Sequence, residues 1–218
     1  MNKKSNNILM GAVLFVCFVI YTVLIKVVDV QAIGPEGSSV GLASINSVFV
    51  RVFPFNATWY SITEYLGYIA IGVCLGFGLL GLFQLIKGKG LKAVDKELWL
   101  LAGFYVVVIV FYALFEVVEI NYRPVILEEG LEASYPSSHT VLAICVFLSA
   151  IYEFESYLLK SKVVKNLLQA LFIVLALLTV IGRMLAGVHW FTDIIGGLIL
   201  SLSLVVIFTG LRNRLLQK

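Results

Sequence analysis

A histidine, a carboxylate and an arginine lie close together near the end of the chain, between Gly182 and Asp193. His189 and Asp193 are four residues apart, a spacing that places both side chains on the same face of a helix. A carboxylate there accepts the Nδ1 proton of the imidazole, which leaves the Nε2 lone pair free for nucleophilic attack. Arg183 adds a guanidinium, whose fork of donors matches phosphate oxygens. The segment therefore predicts a histidine nucleophile beside an anion-binding arginine.

Two further segments with reactive side chains lie upstream, and they contain the other histidine of the chain. The first is Arg123 with the proline that follows it, and the second is the run from Pro136 to His139. A proline favours the start of a helix, where hydroxyl groups and free backbone N–H groups form an anion-binding site. Ser137 and Ser138 supply those hydroxyls, and His139 can protonate a leaving oxygen and later activate water. Together the segments predict phosphoryl transfer.

In this order, the three segments resemble the signature of the type 2 phosphatidic acid phosphatase superfamily, which reads K-x6-R-P, P-S-G-H and S-R-x5-H-x3-D. The resemblance covers residues 116–193, and three ordered motifs are far more specific than any one of them. It implies that His189 is phosphorylated, that His139 is the acid and base, and that Asp193 orients His189. It also implies that the arginines and serines named above bind phosphate, and that the mechanism needs no metal and no cofactor.

Two positions depart from the family pattern. Ser138 replaces the usual glycine of P-S-G-H, a mild change provided that the backbone there needs no positive φ. Glu116 stands where the first motif has lysine, so an anion replaces a cation close to the expected phosphate. We expect Glu116 either to pair with Arg123 or Arg183, or to meet a positive group on an unusual substrate. It thereby changes the substrate or lowers the activity.

The composition is that of a polytopic membrane protein rather than of a soluble domain. Hydrophobic residues make up 61% of the 218 residues, and most lysines and arginines are confined to short clusters between apolar runs. The three cysteines lie inside apolar runs, without the spacing of a metal site or a disulfide framework. We therefore predict an all-α fold, a single domain of residues 1–218 built as a bundle of six transmembrane helices. The predicted spans are 8–28, 65–86, 98–115, 136–153, 167–181 and 194–211.

The distribution of basic residues predicts the orientation of the bundle. With six spans both termini share one side of the membrane, and that side carries twelve of the sixteen basic residues. Cytoplasmic loops of membrane proteins are enriched in lysine and arginine, so the termini are predicted to be cytoplasmic and all three motifs to face outward. The net charge of +3 reflects this topology and predicts no nucleic-acid partner.

Three segments have alternative interpretations. The first apolar run is longer than the core of a usual signal peptide, which favours an uncleaved anchor over a cleaved signal. Residues 29–61 form an outer loop, in which a short amphipathic helix either lies on the membrane surface or packs against the bundle. The apolar positions of that helix are Leu42, Ile45, Phe49, Val52 and Phe53. An acidic loop, with Glu128, Glu129 and Glu132, is predicted to be solvated rather than a selectivity lid.

These expectations define an integral membrane lipid phosphatase with an outward-facing site. The resemblance implies polyprenyl diphosphates, phosphatidylglycerol phosphate or phosphatidic acid as substrates. A water-soluble substrate fits less well, because the predicted site is flush with the membrane and open to lipid headgroups. Two alternatives use the same residues. One is a non-catalytic lipid-phosphate binder whose site is altered at Glu116, and the other is a phosphotransferase that uses an alcohol in place of water.

Overall fold

The computed structural model describes residues 3–127, 130–157 and 161–216. Within these ranges seven α-helices make up the structure, joined by loops that include two short 3₁₀ turns. The helices are α1 (Lys3–Val27), α2 (Ala43–Val52), α3 (Ala57–Lys87), α4 (Lys96–Val117), α5 (Ser138–Tyr157), α6 (Lys162–Ala186) and α7 (Phe191–Leu215). The predicted all-α fold is confirmed. Glu128 and Glu129 of the predicted acidic loop lie outside the described residues.

In the described part of the chain, six helices are long and apolar enough to cross a membrane, and only α2 is too short. Large apolar side chains cover the outside of the bundle; Leu79 of α3 and Ile109 of α4, for example, are 66% and 63% exposed. A continuous apolar exterior of this kind requires lipid rather than water around it. The predicted multi-pass membrane protein is confirmed.

The helices extend beyond the predicted apolar runs. Helix α3 begins eight residues before the predicted start, because Asn56 caps it by accepting a hydrogen bond from the Trp59 N–H at 3.1 Å. Helix α6 likewise covers Lys162–Ala186, since a helix tolerates polar residues at its ends that a hydropathy pattern excludes. The early start of α3 brings Glu64, which lies between the predicted outer loop (29–61) and the predicted second span (65–86), into a helical turn beside the site.

Helix α1 packs along α7 through small residues. A Cβ atom on Gly11 would lie 2.5 Å from Ile207, and one on Gly210 would lie 2.7 Å from Ile8. The Ser203 hydroxyl donates a hydrogen bond to the Gly11 carbonyl at 2.9 Å. Helices in lipid associate through such close backbone approach, because the hydrophobic effect offers no driving force between them there. The extent of this contact supports α1 as a permanent part of the bundle.

The predicted amphipathic helix is α2, and one of its faces packs against the start of α7. Phe49 lies against Phe191 with ring centroids 5.4 Å apart. The buried Asn46 donates to the Thr192 hydroxyl at 3.0 Å and accepts from the Thr192 N–H at 3.2 Å. Packing against the bundle therefore accounts for this face. The opposite face is exposed and apolar, with Ile45, Val48 and Val52.

A buried ionic cluster joins α4, α5 and α7 at the end of the bundle opposite to the α7 N-terminus. Arg212 lies with its Nε atom 3.1 Å from Glu153 Oε1 and with its Nη2 atom 2.8 Å from Glu97 Oε2. The Glu153 side chain is fully buried. A buried carboxylate is tolerated when a cation accompanies it, as Arg212 accompanies Glu153 here.

Candidate active site

The first turns of α3, α5 and α7 and the last turns of α4 and α6 meet at one end of the bundle, around a cavity of about 510 Å³. Five predicted site residues line this cavity: Glu116, Arg123, Ser138, His139 and His189. Three others are buried in the surrounding structure: Ser137, Arg183 and Asp193. All three sequence segments therefore meet at one place, although they are far apart along the chain.

Arg183 and His189 are in direct contact. Nη2 of Arg183 lies 3.1 Å from Nε2 of His189, and the arginine side chain is completely buried. A guanidinium only donates hydrogen bonds, so Nε2 must be the acceptor and the ring proton must be on Nδ1. Burial and the positive charges of Arg183 and Arg123 lower the pKa of His189 well below the usual imidazole value. His189 is therefore neutral at physiological pH, with its unprotonated Nε2 atom facing the Arg183 guanidinium.

The turn between α6 and α7 brings these two side chains together. Gly187 ends α6 with φ of +65°, a left-handed conformation that suits glycine at a helix C-terminus. A Cβ atom there would also lie 2.6 Å from the Pro54 carbonyl group. The chain can therefore reverse within a few residues, which places His189 beside the last turn of α6.

Asp193 does not hold His189 in the predicted way. His189 precedes α7, which begins at Phe191, so the two residues do not share a helical turn. Oδ2 of Asp193 lies 3.7 Å from Nδ1 of His189, too far for a hydrogen bond. The carboxylate instead accepts the Trp190 N–H at 3.0 Å and the Asn121 side-chain amide at 3.2 Å. Asp193 thus caps α7 and places a buried carboxyl group next to the imidazole.

Arg123 is held by contacts within the loop between α4 and α5 and by the attachment of that loop to α7. Its backbone N–H donates to the Glu132 carbonyl at 2.9 Å, and its Nε atom lies 2.8 Å from the Glu132 carboxylate. The indole N–H of Trp190 donates to the Tyr122 carbonyl at 2.6 Å, which ties the loop to α7. Nη1 of Arg123 is buried and has no hydrogen-bond partner among the described residues. This nitrogen is therefore available to an anion in the cavity.

The two serines before His139 have different surroundings. Ser138 begins α5 and lines the cavity, as a phosphate-binding residue should. Ser137 is completely buried outside the cavity lining, where its hydroxyl accepts a hydrogen bond from Thr140 at 3.1 Å. Its backbone N–H donates to the Asp193 carbonyl at 3.0 Å. These contacts support Ser137 as a residue that joins α5 to α7, and they give no support to the expected role in binding phosphate.

The sequence analysis missed Glu64, which contacts two residues of the site. Its Oε1 atom lies 3.1 Å from Arg183 Nη1 and 3.3 Å from His139 Nε2. The neighbouring Thr63 hydroxyl also lies 3.2 Å from Arg183 Nη1. A signal existed in the sequence, because Glu64 is the only acidic residue between Ala57 and Lys87. Such a residue at the edge of a membrane span is a functional candidate by default.

Glu116 lies in the last turn of α4, exposed and lining the cavity. The expectation that it pairs with an arginine of the site is not met, since Arg123 pairs with Glu132 and Arg183 with Glu64. Both arginines already have a carboxylate partner from a different element. The negative charge of Glu116 is thus left facing the space where a substrate would bind.

Comparison with known proteins agrees with this fold and site. The model of the PAP2 superfamily matches residues 99–216, which include all three motif segments. The chain therefore belongs to the PAP2 superfamily, as the motifs predicted. None of the functionally curated proteins compared with the chain matches it.

Among solved structures, the chain is similar to a transmembrane PAP2-type phosphatidylglycerolphosphate phosphatase from Bacillus subtilis. The two are 20% identical in sequence with a TM-score of 0.63, over 94% of this chain and 96% of that chain. At this identity the likeness shows a shared fold. It extends across nearly the whole length of both chains, whereas the family model covers residues 99–216.

Proposed function

We propose that this protein is an integral membrane lipid phosphatase, which hydrolyses a phosphate monoester or diphosphate through a phosphorylated His189. The observation that carries the proposal is the contact between Arg183 Nη2 and His189 Nε2, at a cavity that also contains His139 and Arg123. Phosphoryl transfer requires an unprotonated nucleophile, cations for the phosphate oxygens and an acid for the leaving oxygen. These four side chains provide all three.

The shape of the cavity supports a lipid as the substrate. Its charged groups lie at the end of the bundle, whereas the wall between α3 and α4 is apolar. The apolar lining of this wall includes Ile71 of α3 and Val108, Ile109 and Phe111 of α4. Helices α3 and α4 pack only sparsely against each other, so the space between them reaches the lipid-facing surface, where Ile71 and Ile109 are exposed. An acyl or prenyl chain would lie there while the phosphate meets the arginines.

In the first step, Nε2 of His189 attacks phosphorus, a P–N bond forms and the P–O bond to the leaving group breaks. With the phosphate bound, His139 is the imidazolium, protonated on both ring nitrogens. It transfers its Nε2 proton to the leaving oxygen and becomes neutral, and the leaving group departs as a lipid alcohol or, from a diphosphate, as a lipid monophosphate. Arg123 and Arg183 hold the remaining phosphate oxygens and balance the charge that develops on them. For this Arg183 shifts its hydrogen bond from His189 to the phosphate.

In the second step, water attacks the phosphorus and its proton passes to the now neutral His139. The P–N bond breaks, its electron pair returns to Nε2 of His189, and inorganic phosphate leaves. Both histidines regain their initial protonation states. An alcohol in place of water would give the phosphotransferase reaction.

The test is phosphate release by purified protein in detergent from phosphatidic acid, phosphatidylglycerol phosphate and a polyprenyl diphosphate. We expect release from at least one of them, loss of release in His189→Ala, and normal release in Leu202→Ala, which changes a lipid-exposed position of α7. Equal phosphate release by His189→Ala and by the wild type would show that His189 is not the nucleophile. Lipid binding without release would identify a binder, and a product formed with added glycerol would identify a transferase.

A further inference from the structure

The carboxylate of Glu64 is a charged group of the cavity that the steps above do not use. Its side chain is 28% exposed, and it lines the cavity near the start of α3. An ionised carboxylate in a membrane-spanning helix is unfavourable unless it is paired. Glu64 is paired with Arg183, whose side chain is completely buried. Glu64 is therefore the counter-ion that α3 supplies to this arginine.

Charge neutralisation of Arg183 explains only one of the two contacts that Glu64 makes. The same Oε1 atom also lies 3.3 Å from Nε2 of His139. An ionised carboxylate accepts hydrogen bonds and does not donate them, so this contact requires a proton on Nε2. Nδ1 of His139 is buried and has no hydrogen-bond partner among the described residues. In the described structure, Glu64 is thus the group that selects the Nε2-protonated ring.

Helix α3 also fixes the position of the His139 ring through Gly67, one turn after Glu64. A Cβ atom on Gly67 would lie 3.1 Å from Cδ2 and 3.2 Å from Nε2 of His139. The missing side chain lets the imidazole lie against the α3 backbone while Nε2 reaches the carboxylate. Two positions three residues apart on one helix face therefore hold the same nitrogen atom.

We propose that Glu64 is a positioning residue, which keeps the Nε2 proton of His139 directed into the cavity between turnovers and yields its place to a substrate oxygen. The inference rests on the proposed function, in which that proton passes to the leaving group. When phosphate binds, substrate oxygens take over the two donors that Glu64 occupies, Nη1 of Arg183 and Nε2 of His139. Glu64 itself forms no covalent bond and loses no proton.

Removal of Glu64 should therefore change anion binding and turnover in opposite directions. Without the competing carboxylate, orthovanadate should bind several-fold more tightly to Glu64→Ala. Without Glu64 to keep the Nε2 proton of His139 directed into the cavity, a poor leaving group should depart more slowly. We expect the single-turnover release of alcohol from phosphatidic acid to fall about tenfold or more, a part of the roughly 10²–10⁴-fold that general acids contribute.

The leaving group distinguishes this role from a structural one. Nitrophenolate departs without a proton, so single-turnover release from p-nitrophenyl phosphate should change less than about twofold in Glu64→Ala. Glu64→Gln retains an acceptor atom without the charge. We expect it to restore most of the rate on phosphatidic acid and still to bind orthovanadate more tightly than the wild type.

Two further variants separate the contacts. Thr63→Val removes another acceptor of Arg183 Nη1 without touching His139, and it should slow both substrates alike. Gly67→Ala crowds the His139 ring while the Glu64 charge remains, and it should slow phosphatidic acid more than p-nitrophenyl phosphate. Its orthovanadate affinity should not rise. This variant decides the positioning role if Glu64→Ala does not fold.

The proposal would be overturned if Glu64→Ala and Glu64→Gln both slowed the two substrates by the same factor and both bound orthovanadate more weakly. Glu64 would then act only as the counter-ion of Arg183. His139→Ala, measured with the same two substrates, separates this outcome from a failure of the proposed function. If His139→Ala shows no dependence on the leaving group, His139 is not the acid and the proposed mechanism is wrong. If it shows that dependence and the Glu64 and Gly67 variants do not, only the assignment of Glu64 is wrong.

Discussion

Arg183 donates from Nη2 to the Nε2 atom of His189 at 3.1 Å, and through this bond it covers the nitrogen that we propose as the nucleophile. The same guanidinium contacts Glu64 through Nη1. One buried side chain thereby connects α3, α6 and the histidine before α7. A substrate must take both hydrogen bonds away from the protein, so the resting site is closed by its own residues.

Lysine should not replace arginine at position 183. A lysine ammonium is a point charge without the planar fork, so it cannot reach Glu64 and His189 in the geometry of the two guanidinium nitrogens. We expect Arg183→Lys to lower kcat by about 10²–10³-fold, the range for loss of one aligned donor to transition-state charge. The measurement is kcat and KM in detergent, with thermal unfolding as the control for folding. A loss below about fivefold would mean that charge alone is sufficient there.

The lowered pKa of His189 predicts the pH dependence of the first step. Burial and the two guanidinium groups lower the pKa of His189 well below the usual value of about 6.5. In the proposed mechanism the neutral ring is the nucleophile, so protonation of His189 should lower kcat/KM only well below about pH 6.5. The second ionisation of the substrate phosphate, near pH 6, also contributes to the acid limb and must be subtracted first. An acid limb at the usual imidazole pKa would contradict the burial of this ring.

The same change in pKa predicts a loss of stability in acid. As the pH falls below about 6.5, the unfolded chain binds a proton at His189 that the folded chain does not. The free energy of unfolding therefore decreases as the pH falls from about 6.5 to the lowered pKa of His189 in the folded protein. At higher pH His189 contributes no pH dependence. His189→Gln should have a smaller decrease in Tm between pH 7.5 and 5 than the wild type, measured in detergent.

Hydropathy and motif spacing predicted the six spans and the residues that meet at the cavity, but not how those residues contact one another. Three errors have identifiable causes. Asp193 lies one turn from His189 only if both are helical, and Gly187 ends the preceding helix too near for that. Glu64 contacts His139 across 75 positions of the chain, a pairing that depends on helix packing. Asn121 lies at a position of the first motif where the pattern specifies no residue type, and its contact with Asp193 follows from the fold of that loop.

The ionic cluster at the other end of the bundle should determine stability and not turnover. Arg212→Met leaves the fully buried Glu153 without its cation, and removal of one member of a buried pair costs about 3–5 kcal/mol. Arg212→Met/Glu153→Leu removes both charges and should recover part of that loss. We expect the Tm to fall in the single variant and to rise again in the double variant, with kcat of the folded fraction near wild type. A double variant less stable than Arg212→Met would show that Glu153 has another essential partner.

The proposed orientation can be tested at two exposed positions, in a chain whose three cysteines are replaced. Lys92 precedes α4 in a lysine-rich loop, and Ile126, 48% exposed, lies in the loop between α4 and α5. The distribution of basic residues places position 126 outside and position 92 in the cytoplasm. A membrane-impermeant thiol reagent added to intact cells should label Ile126→Cys and not Lys92→Cys. Labelling should reverse on inside-out vesicles, and the opposite pattern would place the site in the cytoplasm.

Glu116 lies at the position where the sequence analysis expected a lysine. It lies exposed on the cavity, and both arginines of the site have other carboxylate partners. Its charge should repel a phosphate dianion and attract a positive group on the substrate. Solvent and salt weaken such an exposed charge, so the expected effect is at most about 1 kcal/mol, or roughly fivefold in affinity.

We therefore expect the inhibition constant of orthovanadate to fall in the order wild type, Glu116→Gln, Glu116→Lys, and hydrolysis of phosphatidic acid to rise in the same order. The rate of hydrolysis of a lipid phosphate that carries an amine, relative to that of phosphatidic acid, should fall along the same series. Glu119→Lys makes the same charge change near the end of α4, at an exposed position outside the cavity lining, and should leave the inhibition constant near that of the wild type. Loss of folding in both Glu116 variants would instead make Glu116 a structural residue. An equal gain in Glu119→Lys would show that only the overall charge of that surface matters.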